Sequence, residues 1–164
     1  NELKHRGLVK KIGVSIYDSN KIDDIIKKLK PDIIQLPLNV LDQRVLRDGT
    51  LKYLKSMNIE VHVRSIFLQG LLLMPYEKTP NFFKAWSDKL NKWRQVCFDK
   101  KTSYLEAALN FALSQQDVDY CVIGIENLEK LKQCISAAKS GKKINVSELA
   151  CEDEELLNPV NWKI

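Results

Sequence analysis

Apolar positions along this chain fall into two alternating patterns. Lys11 to Tyr17 is a short, mostly apolar run that reads as a strand, closed by a turn at Asp18-Ser19-Asn20. Ile22, Ile25, Ile26 and Leu29 then recur at helical spacing, with Asp23, Asp24, Lys27 and Lys28 on the opposite face. Ser19 or Asn20 is the expected cap of that helix and Pro31 its stop. The alternation continues with a strand from Asp32 to Pro37, a helix from Leu41 to Asn58, and a third strand from Glu60 to Leu68. Further helices are predicted over Asn81–Phe98 and, capped by Thr102 or Ser103, over Tyr104–Leu113. Tyr120 to Gly124 reads as a fourth strand, Leu128 to Ala138 as the helix after it, and Ser147 to Leu157 as a short acidic closing helix.

Four short apolar strands alternating with amphipathic helices predict an α/β fold, a parallel sheet with helices packed outside it. Periodicity fits either half of a (β/α)8 barrel or a small open sheet. A four-stranded half barrel has two open edges and one uncovered sheet face, which raises the expectation of self-association. In His62, flanked by Val61 and Val63, strand alternation predicts a side chain on the opposite face from its neighbours.

Composition narrows the functional classes. The chain of 164 residues is 45% hydrophobic and 29% charged, as expected of one globular domain. No apolar stretch approaches the length of a membrane span, and Asn1 to Val9 lacks the apolar core of a secretion signal, so the expected location is the cytoplasm. Cys97, Cys121, Cys134 and Cys151 form no C-x-x-C pair or Cys/His cluster; free thiols packed as small hydrophobes are expected, and no metal site. The net charge of +5 is spread over scattered lysine pairs, with no nucleic-acid recognition pattern.

Ligands of parallel α/β proteins sit at the carboxyl ends of strands, which here are Ser15, Gln35, Asn39, Arg64, Ser65 and Gly124. None forms a nucleophile–base pair. Gly70 and Gly124 could cradle phosphate or could serve turn geometry alone, and Gly124 precedes a predicted helix whose N-terminus favours an anion. Neither G-x-G-x-x-G nor a P-loop pattern is present.

The order of these segments resembles the aldo-keto reductase family. Gly7 to Ser15 (Gly-Leu-Val-Lys-Lys-Ile-Gly-Val-Ser) resembles its fifth barrel strand, and Ile34 to Asn39 its sixth, with the glutamine. Arg64 to Leu72 (Arg-Ser-Ile-Phe-Leu-Gln-Gly-Leu-Leu) resembles the seventh-strand pattern, and Gly124 to Cys134 the eighth-strand loop and helix. Ala107 to Leu113 resembles the segment before strand eight. The wording from Val63 to Leu72 is most similar to a bacterial branch associated with spore-coat or surface-polysaccharide biosynthesis.

The resemblance implies the C-terminal half of a (β/α)8 barrel, residues 1–164 forming one partial domain of strands five to eight. It implies an NAD(P)H cofactor and, in a longer parent, reduction of a small aldehyde or ketone. Ser15 and Gln35 match the positions that bond the nicotinamide carboxamide, and Arg64 takes the place of the aromatic that stacks on its ring. Ser65 and Phe67 match the pyrophosphate path, Gly124 to Asn127 the loop around the adenosine 2′-phosphate, and Lys130 and Cys134 the adenine side. Ile16 stands where the family has Asn, and Glu126 and Asn127 stand where many members carry a basic or hydroxyl residue. The family's catalytic Asp, Tyr, Lys and His belong to the first half of the barrel. No catalytic residue is therefore assigned here, and the expectation is a fragment inactive alone. The rival reading is a noncatalytic half barrel binding a nucleotide or a partner.

Overall fold

The computed structural model describes residues 2–163. Four parallel strands form one sheet in the order β1 (Gly13–Ser15), β2 (Ile33–Pro37), β3 (Glu60–Arg64) and β4 (Tyr120–Cys121). Around it lie α1 (Glu2–His5), α2 (Ile22–Leu29), α3 (Arg44–Arg47), α4 (Thr50–Ser56), α5 (Ser87–Asp99), α6 (Tyr104–Leu113), α7 (Leu128–Ser140) and α8 (Glu154–Leu157).

Strand alternation sorts the side chains. Ile34, Leu36, Val61 and Val63 are buried and point to the helices, with Val14 and Cys121 partly buried beside them. Register places Ser15, Gln35, His62 and Tyr120 in one row on the opposite face, where His62 does lie away from its valine neighbours. That uncovered face is largely polar. The Glu60 carboxylate accepts from His62 Nε2 at 2.8 Å and also pairs with Lys11, and the His62 ring meets Tyr120 edge-on at 4.9 Å between centroids. Exposed apolar side chains include Val122 just after β4 and Leu128, Leu131 and Ile135 on α7, with Leu8, Phe98 and Val160 elsewhere.

The predicted elements are present, with boundaries moved by backbone geometry. Asp18, rather than Ser19 or Asn20, provides the cap: its carboxylate accepts from Asn20 N–H and opens a single 3₁₀ turn leading into α2. The 41–58 helix is broken in two, because Gly49 takes φ +79 and Asp48 accepts from Thr50 N–H there. The 81–98 helix begins as 3₁₀ over Asn81–Trp86. Ser103 is the cap of α6, accepting from Glu106 N–H while Thr102 bonds the Glu106 carboxylate. The third strand stops at Arg64, since Ser65 (φ 59), Leu68 (φ 45), Gln69 (φ 52) and Gly70 (φ 85) turn the chain through left-handed conformations. The closing helix is two short pieces, Ser147–Leu149 and Glu154–Leu157.

Buried polar groups fix the loops at the carboxyl ends. Fully buried Asn39 accepts Leu41 and Asp42 N–H on its Oδ1 and donates to Ser65 O at 3.1 Å, tying the β2 loop to the β3 loop. Gln43 bridges Val40 O and Val146 O, and Cys151 N–H donates to Leu41 O, which docks the C-terminal segment on the same loop. All four cysteines are free, and three are buried. Burial alone pushes the Cys97 thiol up to about 12 and the Cys121 thiol up to about 11, so both behave as small apolar side chains. Among the described residues no helix is long and apolar enough to cross a membrane.

Two glycines make opposite demands. A Cβ on Gly13 would stand 2.7 Å from Ile33 O and 2.8 Å from its Cβ, whereas one on Gly124 meets nothing within 4 Å. Gly13→Ala is therefore expected to cost about 1–3 kcal/mol by overpacking, and Gly124→Ala to stay within about 0.5 kcal/mol. Urea unfolding of both variants at unchanged m-value checks this; equal stability of the two would contradict the close approach of β1 to β2.

Candidate functional site

A cleft of about 810 Å³ opens at the carboxyl ends of β1, β3 and β4. Ser15, Arg64, Ser65, Phe67, Gly124 and Lys130, six of the eight residues expected to bind cofactor, line it. Gln35 and Asn127 do not line it. Gln35 adjoins Ser15 in register and its Oε1 accepts from Ser15 Oγ at 3.3 Å. Asn127 is the cap of α7, its Oδ1 accepting from Lys130 N–H at 2.9 Å. Cys134 also faces the cleft.

Arg64 holds one end together. Its side chain reaches from β3 across β2 to β1, where Nε donates to Ser15 Oγ at 3.2 Å and Nη2 to Ile16 O at 3.1 Å. Nη1 donates to Ser65 Oγ at 3.3 Å, and the guanidinium lies over the Tyr17 ring, 4.1 Å from its centroid. A directed chain of bonds results: Arg64 donates to Ser15, and Ser15 donates to Gln35. Sequence reading placed Arg64 but missed Tyr17 as its support; the signal was an aromatic one residue beyond a strand-end position. The Ile16 side chain, at the position where the family resemblance implies Asn, is buried, and its backbone carbonyl is taken by Arg64.

The other end is set by the start of α7. Gly124, Ile125 and Glu126 form the approach to the helix, whose N-terminus carries partial positive charge. Glu126 pairs with Lys130 one turn on, and the hydrogen bond from Lys130 holds the Glu126 carboxyl below the usual carboxylate range, so it is ionised at neutral pH. Gly124 is not required by steric contact or by positive φ, whereas Gly70 at φ +85 serves the turn before the Leu71–Leu73 3₁₀ helix. Among the described residues no cluster of three or more His, Cys, Asp or Glu side chains is placed to hold a metal.

Tyr17 also borders a second cleft of about 550 Å³, walled by Asp18, Asp42, Arg44, Asp48 and Glu154. Buried Asp42 takes both Arg44 Nε and Nη2, and Glu154 takes Nη1 at 2.8 Å; Asp42 above all holds the guanidinium charged well beyond the ordinary arginine range. Sequence reading did not find this trio, although the Asp-x-Arg spacing at 42–44 was its trace.

Groups able to hold a dinucleotide run along the main cleft: the Ser15 and Ser65 hydroxyls toward one end and the start of α7 at the other. The family model described as "Aldo/keto reductase family" matches residues 1–149. The chain is 27% identical, over 90% of its length, to the NADH-specific methylglyoxal reductase of Escherichia coli (strain K12), and spans 48% of that protein. Its fold matches the aldo-keto reductase AKR11C1 from Bacillus halodurans in the holo form with a TM-score of 0.77, at 20% identity, over 98% of this chain and 56% of that one. It matches the thermostable aldo-keto reductase Tm1743, solved with the inhibitor epalrestat, at a TM-score of 0.61 and 17% identity, over 98% of this chain and 50% of that one. The four parallel strands with flanking helices thus correspond to part of a (β/α)8 barrel, and the chain spans about half the length of the curated relative that it matches. It belongs to the aldo/keto reductase family.

Proposed function

We propose that residues 1–164 form the C-terminal half of a reductase barrel, and that this half holds NAD(P)H while a small aldehyde or ketone is reduced. The observation that carries the reading is the shared cleft: six expected cofactor residues, drawn from β1, β3, the loops that follow β3 and β4, and α7, line it together. In this reading Ser15 and Gln35 hold the carboxamide of the nicotinamide, and Ser65 and Phe67 flank the pyrophosphate. Gly124, Asn127 and Lys130 serve the adenosine end, with Asn127 acting by fixing the start of α7. When bound, the cofactor supplies the two electrons and the hydrogen that reduce the carbonyl carbon. This chain's residues orient the cofactor and contribute nothing to the proton that the carbonyl oxygen needs.

The purified chain is accordingly expected to reduce methylglyoxal at no more than the background rate with either cofactor. The surface-polysaccharide branch suggested by Val63 to Leu72 adds sugar aldehydes to the same assay. Sustained cofactor oxidation by any of these substrates would refute the division of labour between the two halves.

Reduced affinity for a 2′-phosphate follows from Glu126, whose ionised carboxylate would face it with only the paired Lys130 in compensation. The name of the Escherichia coli relative, an NADH-specific enzyme, supports the same preference. Glu126→Arg is expected to move the ratio of NADPH to NADH affinity about tenfold toward NADPH, a change of about 1.4 kcal/mol. Calorimetric titration of both cofactors decides this, and an unchanged ratio would place the 2′-phosphate elsewhere.

The open edge at β4, with Val122 exposed beyond it and Leu128, Leu131 and Ile135 exposed on α7, favours association in this reading. Light scattering on the chain is expected to show species larger than a monomer. A concentration-independent monomer would remove that edge as an interface.

A further inference from the structure

The charge of Arg64 is uncompensated. Its three acceptors, Ser15 Oγ, Ser65 Oγ and Ile16 O, are neutral oxygens, and among the described residues it pairs with no carboxylate. The other charges lining the main cleft, Glu126 and Lys130, neutralise each other at its far end. The guanidinium is also fixed: three bonds hold its edge and Tyr17 covers one face at 4.1 Å. What remains for a ligand is the second face of a rigid cation.

A nicotinamide ring meets such a face differently in its two redox states. The reduced ring is neutral and electron-rich, so a cation over or beside it is attracted to its π-system. The oxidised ring is a pyridinium bearing a full positive charge, and the same cation repels it. We propose that Arg64 makes this cleft discriminate between redox states, binding reduced nicotinamide nucleotide in preference to the oxidised form. The inference rests on the placement of the nicotinamide beside Ser15 and Gln35 proposed above. Arg64 here tunes binding. It would draw in the reductant and hasten departure of the spent cofactor, lessening inhibition of the parent by the oxidised form.

Partial exposure of Arg64 to solvent screens the effect, which sets its expected size at a three- to tenfold difference in affinity, about one decade at most. The test is a ligand-observed NMR titration of the 164-residue chain with NADH and with NAD+ at millimolar concentrations, repeated on Arg64→Gln and Arg64→Lys. The wild-type chain should bind NADH more tightly than NAD+, and raising salt from about 50 mM to about 500 mM should narrow the gap. Arg64→Gln should erase the gap mainly by tightening NAD+, whereas Arg64→Lys, which keeps the charge and loses the planar fork, should preserve most of it. Binding of both nucleotides with a ratio unchanged in Arg64→Gln would overturn the proposal while leaving the cofactor cleft intact. Loss of the preference in Arg64→Lys as well as Arg64→Gln would overturn charge as its cause. Absence of binding by either nucleotide to the wild-type chain would overturn the cofactor reading itself, and this inference with it.

Discussion

Parallel pairing of four strands at one shared register is the constraint from which the rest of the molecule follows. Because Ser15 stands opposite Gln35, Gln35 opposite His62 and His62 opposite Tyr120, one sheet face becomes a row of polar groups and the other a row of Val, Leu and Ile. A slip by one residue would carry every apolar side chain of a strand away from the helices. The same pairing brings all four carboxyl ends to one side, where the loops have to meet. Asn39 then locks two of those loops with three hydrogen bonds at no exposure to water.

Much of this order is legible in the sequence because it is local. Val61, His62 and Val63 alternate in a period only a strand satisfies, and α2 shows its buried stripe in Ile22, Ile25 and Ile26. Helix continuity is less legible. Nothing in the apolar spacing of 41–58 says that Gly49 will adopt positive φ, and the left-handed turns at Ser65, Leu68 and Gln69 occur in residue types that seldom announce them. Such conformations persist because buried neighbours, Ile66, Leu71 and Leu72 among them, over-determine the path of the chain.

The candidate site divides along the same line. Positions such as Ser15, Arg64 and Gly124 could be found from order and spacing, since strand ends converge in any parallel sheet. What each side chain does there depends on partners distant in sequence. Arg64 reaches 49 residues back to Ser15, and Arg44 reaches 110 residues forward to Glu154. Residue type alone gives no hint of either, because both arginines sit among other charged or polar side chains that could have taken them.

The three tryptophans show a different division of the molecule. Trp93 donates to Leu72 O, Trp86 to the Asp153 carboxylate and Trp162 to Leu156 O, with Phe83 packed edge-on against Trp162 at 4.8 Å. None of the three lines the cleft. Trp86 and Trp162 sit where the 81–86 turn and residues 153–162 lock together, while Trp93 is buried against Leu72 and Tyr104. The part of the intrinsic ultraviolet emission that comes from Trp86 and Trp162 is therefore a spectroscopic gauge of whether residues 153–162 are seated, reporting a region apart from the cleft.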